Sequence, residues 1–575
     1  MTPEQEPLKL PYAVSNFEKL REEGYFLVDK TAFIRELERY EVPVFLRPRR
    51  FGKTLWCSTI ECYYDIQRKQ KFDSLFGGLS IGKKPTGRQN SYMVLRLNFS
   101  VVQVSFNMVE MERNFKSTCE GALEYFLTTY QAYFDAALTL DSELPIAKNL
   151  ERILQYARAK ALPPIYLIID EYDNFINQFI TAQRDDLYKD LTTGDSFFRT
   201  FFKAIKAGTE SSSIGKVFIT GVLPITMDDL TSGFNIAEIV TLEPALHNML
   251  GFTHAEMDDY LGRVMDAYVI DRSLFASTRE LVRNYYNGYR FLLNAPDSLY
   301  NATILTYFLK YFALHHGEYP ADMIDPNVKT DVGWIERLGG GSAQALQLTE
   351  TLLNDGGLPF DVRALSDRFN MNRFLDRSHY AVSLFFLGML TVKDRNTLGF
   401  PNQTVAEVFT NYYNVLARIE VSQGYNEMFS VFVKDSDLGK LFAEYYRVYL
   451  GQIPAQAFDK INENFVRTTF FELCSRYLSW AFSFAIEVNY PSGRSDWEML
   501  GRPESAWHNQ KWVVEFKYQP KNSKQKITDL TAPEPADIAQ VKGYAQHILA
   551  SFPEYQIHTA VCVVQGSAGF KWWDV

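Results

Sequence analysis

Three stretches of this sequence hold residues whose types and spacing could do phosphate chemistry. In VFLRPRRFGKTLW, the run Arg49, Arg50, Phe51, Gly52, Lys53, Thr54 and Leu55 ends in the Gly-Lys-Thr of a phosphate-binding loop. Backbone N–H groups at a helix start, with the helix dipole, favour an anion. A lysine there reaches the β- and γ-phosphates of a nucleotide, and the hydroxyl after it faces Mg²⁺. Arg47 stands where the usual G-x-x-x-x-G-K-[ST] pattern has its first glycine. It cannot easily take glycine's dihedrals, so Pro48 is expected to reshape the loop entrance. The alternative is a basic turn that opens a surface helix.

The second stretch is IYLIIDEYDNF, an apolar run that ends in Asp170 and Glu171. Acids after such a run are costly unless they do work. Asp170 can hold the Mg²⁺ shell, and Glu171 can polarise an attacking water; a strand terminus with solvated acids is the alternative. Thr220, at the end of KVFIT, is placed to sense a γ-phosphate or to be an ordinary strand-end residue.

The third is PSGRSDWEML followed by KWVVEFKYQP. Glu515 and Lys517 are two apart on a strand and share a face, and Asp496 falls on the neighbouring strand of a hairpin. Two carboxylates converging with a lysine suit metal-dependent phosphodiester cleavage: the acids hold Mg²⁺, and the lysine stabilises charge on the phosphate. A solvated hairpin face with a local salt bridge is the competing reading. Glu472 is read as a solvated helix acid or a further ligand, and His508 as a surface residue. The aromatic run Asn284–Tyr289 either stacks bases or forms a packed turn.

The elements that must position these groups follow from the pattern. Nearly all-apolar runs (VPVFL, MVLRLNF, IYLIID, KVFIT, AEIVTL) alternate with helical stretches such as SFFRTFFKAIKAG, which predicts a parallel sheet covered by helices. From about Met257 to Asn464 the text is mainly helical, with LGGGSAQ read as a loop. SFAIEVNY, SDWEML, KWVVEFKY and HTAVCVVQ then return to strands. The expected division is 1–256, a P-loop domain; 257–450, a helical lid or winged-helix-like continuation; and 451–575, a small α/β domain.

A chain of 575 residues, 46% hydrophobic and 15% aromatic, has ample core for several domains and no bias toward disorder. Its formal net charge of −10 excludes a uniformly basic nucleic-acid coat, though not a local basic groove. Five scattered cysteines without a C-x-x-C pair suggest reduced thiols. No signal peptide is read at the N-terminus, and YAVSLFFLGMLTV is shorter than the ~20 apolar residues of a spanning helix. A cytoplasmic protein with no membrane partner is expected.

Taken together, RPRRFGKT, LIIDEYD, FITGVLPI and YYNGYRF resemble the AAA-ATPase-like family, whose hallmark is this altered phosphate loop. The resemblance starts near Pro11 and covers the first half of the chain. It implies ATP and Mg²⁺ as cofactors, with Lys53 and Thr54 as contacts and Asp170 with Glu171 as the acidic pair. It departs at LYNATILTYF, where the family usually carries Pro and an aromatic after the Asn. Over roughly the last hundred residues, GRSD, EFK and AQVKGYA resemble the PD-(D/E)XK nuclease superfamily, in its branch with a Q-x-x-x-Y helix. That resemblance implies a restriction-endonuclease-like fold, Asp496, Glu515 and Lys517 as the catalytic set, and Gln540 and Tyr544 in support. The strand WEML is less aliphatic than is usual there. The implied function is a nucleotide-gated, metal-dependent nuclease acting on nucleic acid, DNA ahead of RNA. The alternative is a nucleotide-switched binding protein that does not cleave. Oligomeric state is open, with Arg199 and Arg290 the arginines considered for a finger.

Overall fold

The computed structural model describes residues 8–575 except 136–137, 231–232, 321, 325–332, 340–341, 366–368, 422–423 and 459. It divides into two compact units. One comprises Met1–Tyr260, Tyr289–Thr306 and Pro359–Leu398; the other comprises Leu261–Gly288, Tyr307–Leu358 and Gly399–Val575.

The first unit is built on a five-stranded parallel sheet: β1 (Pro43–Leu46), β2 (Met93–Asn98), β3 (Ile165–Asp170), β4 (Ile214–Gly221) and β5 (Glu238–Ile239), in spatial order 2-3-4-1-5. β1, β3 and most of β4 are buried residue after residue, as a sheet covered on both faces requires. β5 falls short of the expected buried run: only two residues pair, both exposed, because this edge strand has β1 on one side alone. Helix α1 (Lys53–Tyr64) follows β1 directly. Helix α2 (Phe197–Glu210) realises the expected amphipathic segment, capped by Ser196 and burying Phe198, Phe201, Phe202 and Ile205. Phe198 and Phe201 meet Phe115 at ring-centroid distances of 5.7 and 5.4 Å. Each such ring contributes ~1.5–3 kcal/mol by burial, so the sheet's helical cover is anchored mainly by phenylalanine.

The segment YAVSLFFLGMLTV is a buried core helix, Tyr380–Phe386, that ends in a short strand, Thr391–Val392. No helix among the described residues is long and apolar enough to cross a membrane. Gly340 and Gly341 of the expected LGGGSAQ loop lie outside the described residues; helices Gly333–Gly339 and Ser342–Asp355 flank them.

The second unit holds a mixed five-stranded sheet in sequential order: β6 (Phe482–Tyr490), β7 (Gly493–Gly501), β8 (Gln510–Tyr518), β9 (Gln556–Val564) and β10 (Phe570–Asp574). Pairing is antiparallel except between β8 and β9, which helix α4 (Pro535–Ser551) joins by a crossover. Helix α3 (Glu463–Leu478), capped by Asn462, places Phe470 against Trp497 at 5.3 Å, under one sheet face. Val541, Tyr544 and Ile548 of α4 pack with Val513 and Val561 on the other. The expected β7–β8 hairpin is present with Trp497 opposite Val514, so the less aliphatic WEML does not disturb pairing. β10 was not foreseen.

Candidate functional sites

The phosphate-loop geometry begins with Gly52, whose φ of +96° lets β1 turn into α1 where an L side chain would be strained. Lys53 is buried, and its ammonium donates to the carbonyls of Arg47 (2.9 Å) and Pro48 (3.0 Å). Burial lowers its pKa, opposed by the charges of Glu171, Asp173 and Asp170. Lys53 therefore lies in the field of the acidic motif.

Asp170 is fully buried at the end of β3. One oxygen, Oδ2, takes the Arg96 guanidinium at 3.2 Å; the other, Oδ1, is buried without a hydrogen-bond partner. The same Arg96 nitrogen lies 3.4 Å from the carbonyl of Thr54. The start of α1 and the acidic end of β3 are thus within one guanidinium's reach of each other. An orphaned, buried carboxylate oxygen beside a helix start fits a divalent cation. Glu171 has a positive φ of 52° and accepts from the Asn174 amide; its pKa is raised by burial.

Other expected residues serve the frame. The Thr220 hydroxyl donates to the Phe45 carbonyl at 2.8 Å, so in this structure it fastens β4 to β1. Phe51 packs edge-on against Tyr289 and Phe291. Arg49 and Arg50 are exposed, while their carbonyls are held by Asn301 and Thr303. Arg47 is buried, not directed at a phosphate. Its guanidinium donates to the carbonyls of Leu46, Thr241 and His247 and lies over the rings of Phe45 and Phe291, at 4.3 and 4.1 Å.

Sequence reasoning missed three features. Arg96, inside an apolar run, carried no motif. Asp173, the last acid of LIIDEYD, accepts from Val222 N–H, Leu223 N–H and the Asn177 amide, and so fixes the loop leaving β4. Gly221 is required there: a Cβ would sit 2.4 Å from Asp173 Oδ1. The third is an apolar cavity of about 90 Å³ at the start of α1, lined by Val28, Gly52, Leu55, Trp56, Leu250 and Phe252 among others. Its walls come from segments far apart in sequence.

In the second unit, Asp496 accepts from Arg467 (3.2 Å) through one oxygen and from the Phe516 N–H (2.8 Å) through the other. Lys517 Nζ bridges Glu515 at 2.7 Å and Asp496 at 4.0 Å. The three expected residues are therefore together. Glu515 Oε2 is buried and unpartnered, and the carboxyl is pushed up to about 7 by burial and then by Asp496, against the pull of Lys517. Such an oxygen also fits a cation, although among the described residues no three His, Cys, Asp or Glu side chains converge as a metal-binding group. Gln540 donates to the Tyr544 hydroxyl (2.6 Å), which donates to the Arg494 carbonyl (2.8 Å) and so pins the start of β7.

Glu472 lies elsewhere, buried against Arg476. The acid on this helix that senses the site is Glu463, whose pKa burial and Asp496 raise. It precedes Arg467 by one helical turn, a spacing visible in the sequence. His508 is exposed. Tyr285 and Tyr286 are buried, the latter donating to the Met323 carbonyl, so this run is packed and does not present free faces for stacking.

Residues 11–231 match a family described as Predicted AAA-ATPase, and residues 461–573 match the PD-(D/E)XK nuclease superfamily. Among solved structures, the chain is similar to a Walker-type ATPase of Pyrococcus abyssi, at 12% identity and a TM-score of 0.36, over 70% of this chain and 99% of that one. No curated protein matches it significantly.

Proposed function

For a chain that carries an AAA-ATPase-like domain and a PD-(D/E)XK nuclease-superfamily domain, we propose an ATP-binding ATPase whose nucleotide state gates a metal-dependent phosphodiesterase acting on nucleic acid, DNA ahead of RNA. The observation that supports the reading most is a single Arg96 nitrogen within hydrogen-bond reach of both the Thr54 carbonyl and Asp170 Oδ2.

In this reading the triphosphate draws Lys53 off the carbonyls it now holds, and the N–H groups of Gly52 to Leu55 bind its oxygens. The base enters the adjoining apolar cavity. Glu171 orients the water that attacks the γ-phosphate and holds its proton at the carboxylate. Thr54 and Asp170 would hold Mg²⁺, which supplies charge neutralisation at the phosphates. In the second unit, Asp496 and Glu515 would hold the metal, while Lys517 orients water and offsets charge on the scissile phosphate. Gln540 and Tyr544 keep β7 in register for Asp496. Arg49 and Arg50 add positive charge at the loop's outer side. Cytoplasmic location fits five buried, unpaired cysteines. We retain the division at 256 and 450 as the functional partition and leave self-association to measurement.

A second reading is a nucleotide-switched protein that grips nucleic acid or a partner without cutting. It is favoured by Asp496, whose two oxygens are already engaged by Arg467 and Phe516. The test is cleavage of single- and double-stranded DNA and RNA with Mn²⁺ and ATP, by wild type and Asp496→Ala. Cleavage lost in the variant, with ATP affinity retained, supports the nuclease. Binding of nucleic acid without cleavage by wild type supports the switch.

A further inference from the structure

We propose that Arg96 is a positioning residue of the nucleotide site, which fixes Asp170 so that only one carboxylate oxygen is offered to the metal that accompanies the triphosphate. The inference rests on the nucleotide reading given above and adds a residue that neither motif nor family match assigns.

Arg96 lies on β2, one strand out from the acidic end of β3; Asn98 at the end of β2 is the register partner of Asp170. The side chain spans three acceptors. One terminal nitrogen donates to Glu61 Oε2 at 3.0 Å, and the other reaches Asp170 Oδ2 at 3.2 Å and the Thr54 carbonyl at 3.4 Å. Glu61 and Thr54 both belong to α1, so the guanidinium ties two turns of that helix to the strand carrying the acid. Its rigid planar fork suits this task, because its separate nitrogens span acceptors that a lysine would have to reach from one point.

The consequence for Asp170 is an asymmetric carboxylate. Oδ2 is occupied by a fixed cation, whereas Oδ1 is buried with no partner. A buried carboxylate oxygen without a partner calls for an explanation, and a bound ion is one that fits its place beside the phosphate loop. Because the nitrogen on Oδ2 also reaches the Thr54 carbonyl, Arg96 holds Asp170 close to the residue whose hydroxyl would take the metal, and Oδ1 is the oxygen left for it. The Arg199 guanidinium, by contrast, donates to the Gly194 carbonyl.

The proposal separates two quantities that a general loss of structure would move together. ATP affinity measured in EDTA reads Lys53 and the loop amides. The gain in affinity when Mg²⁺ is added reads the Thr54–Asp170 pair. Arg96→Ala and Arg96→Lys should keep ATP affinity in EDTA within about twofold of wild type and reduce the Mg²⁺-dependent gain, with alanine losing on the order of tenfold and lysine less. Should alanine fail to fold, the lysine variant decides alone. An undiminished gain, or an equal loss with and without Mg²⁺, overturns the role given to Arg96. If wild type itself binds no ATP under either condition, the nucleotide reading fails instead.

Discussion

Restoring the ordinary glycine of the phosphate loop, Arg47→Gly, should damage the protein rather than improve it. The deletion strands three buried carbonyls, those of Leu46, Thr241 and His247, which the guanidinium serves at 3.0, 3.0 and 3.2 Å. An unsatisfied buried acceptor costs ~1–3 kcal/mol, and each lost ring face about 1 kcal/mol more. Opposing this, burial lowers the guanidinium's pKa from 12.5 to about 9; a drop of that size corresponds to about 5 kcal/mol of desolvation that the deletion returns. With the added backbone freedom of glycine, ~1 kcal/mol, the net is a loss of roughly 1–7 kcal/mol, centred near 4. The central value lowers the unfolding midpoint of the first unit by roughly 5–12 °C. Differential scanning calorimetry with limited proteolysis reads the shift, and ATP titration reads the loop, because Lys53 rests on the Arg47 carbonyl. Arg47→Lys should fall between. A glycine variant with an unchanged midpoint and unchanged ATP affinity would refute the view that Arg47 locks the loop to the segments at 241 and 247.

Three further outcomes are expected. Lys53→Ala should weaken Mg·ATP binding on the order of 100-fold, the worth of two charge-assisted contacts, as read by calorimetric titration. Asp173→Ala removes a carboxylate that holds Val222 and Leu223 N–H, and should cost ~2–4 kcal/mol in denaturant unfolding and raise exchange of those two amides. Glu515, raised to about 7, is mostly protonated at pH 6 and mostly ionised at pH 8. A cation competes with that proton, so Mn²⁺ affinity should rise about tenfold between pH 6 and pH 8 and flatten in Glu515→Gln. In the metal-free protein the same group's stabilising contribution is full below pH ~4.5 and is lost as pH rises through about 7.

Much of the frame was legible because its signals are local. All-apolar runs mark strands covered on both faces, and Gly52-Lys53-Thr54 and Asp170-Glu171 stand at the ends of two of them. Asp496, Glu515 and Lys517 were legible for a similar reason: the period of two along a strand and one hairpin suffice to bring them together. What escaped is what depends on packing between distant segments. Thr220 reads as a phosphate sensor from its place at a strand end, yet its hydroxyl is spent on the neighbouring strand. Arg47 reads only as the replacement of a loop glycine, yet its side chain is enclosed by two rings and three carbonyls. Arg96 sits in a strand with no motif, and its meaning comes from the register that sets Asn98 beside Asp170. Glu472 and Glu463 lie on one helix, and only its rotation against the sheet decides which acid senses Asp496. The apolar cavity at α1 is assembled from residues between Pro11 and Ala302, so no single window of sequence contains it.

The most direct test of the account is a structure of the full chain with a non-hydrolysable ATP analogue and Mn²⁺, recorded with anomalous data at the manganese edge. The account predicts a manganese peak coordinated by the Thr54 hydroxyl and facing Oδ1 of Asp170, with the β- and γ-phosphates on the Lys53 ammonium. A triphosphate bound away from Lys53, or a manganese peak in this unit that touches neither Thr54 nor Asp170, would contradict it.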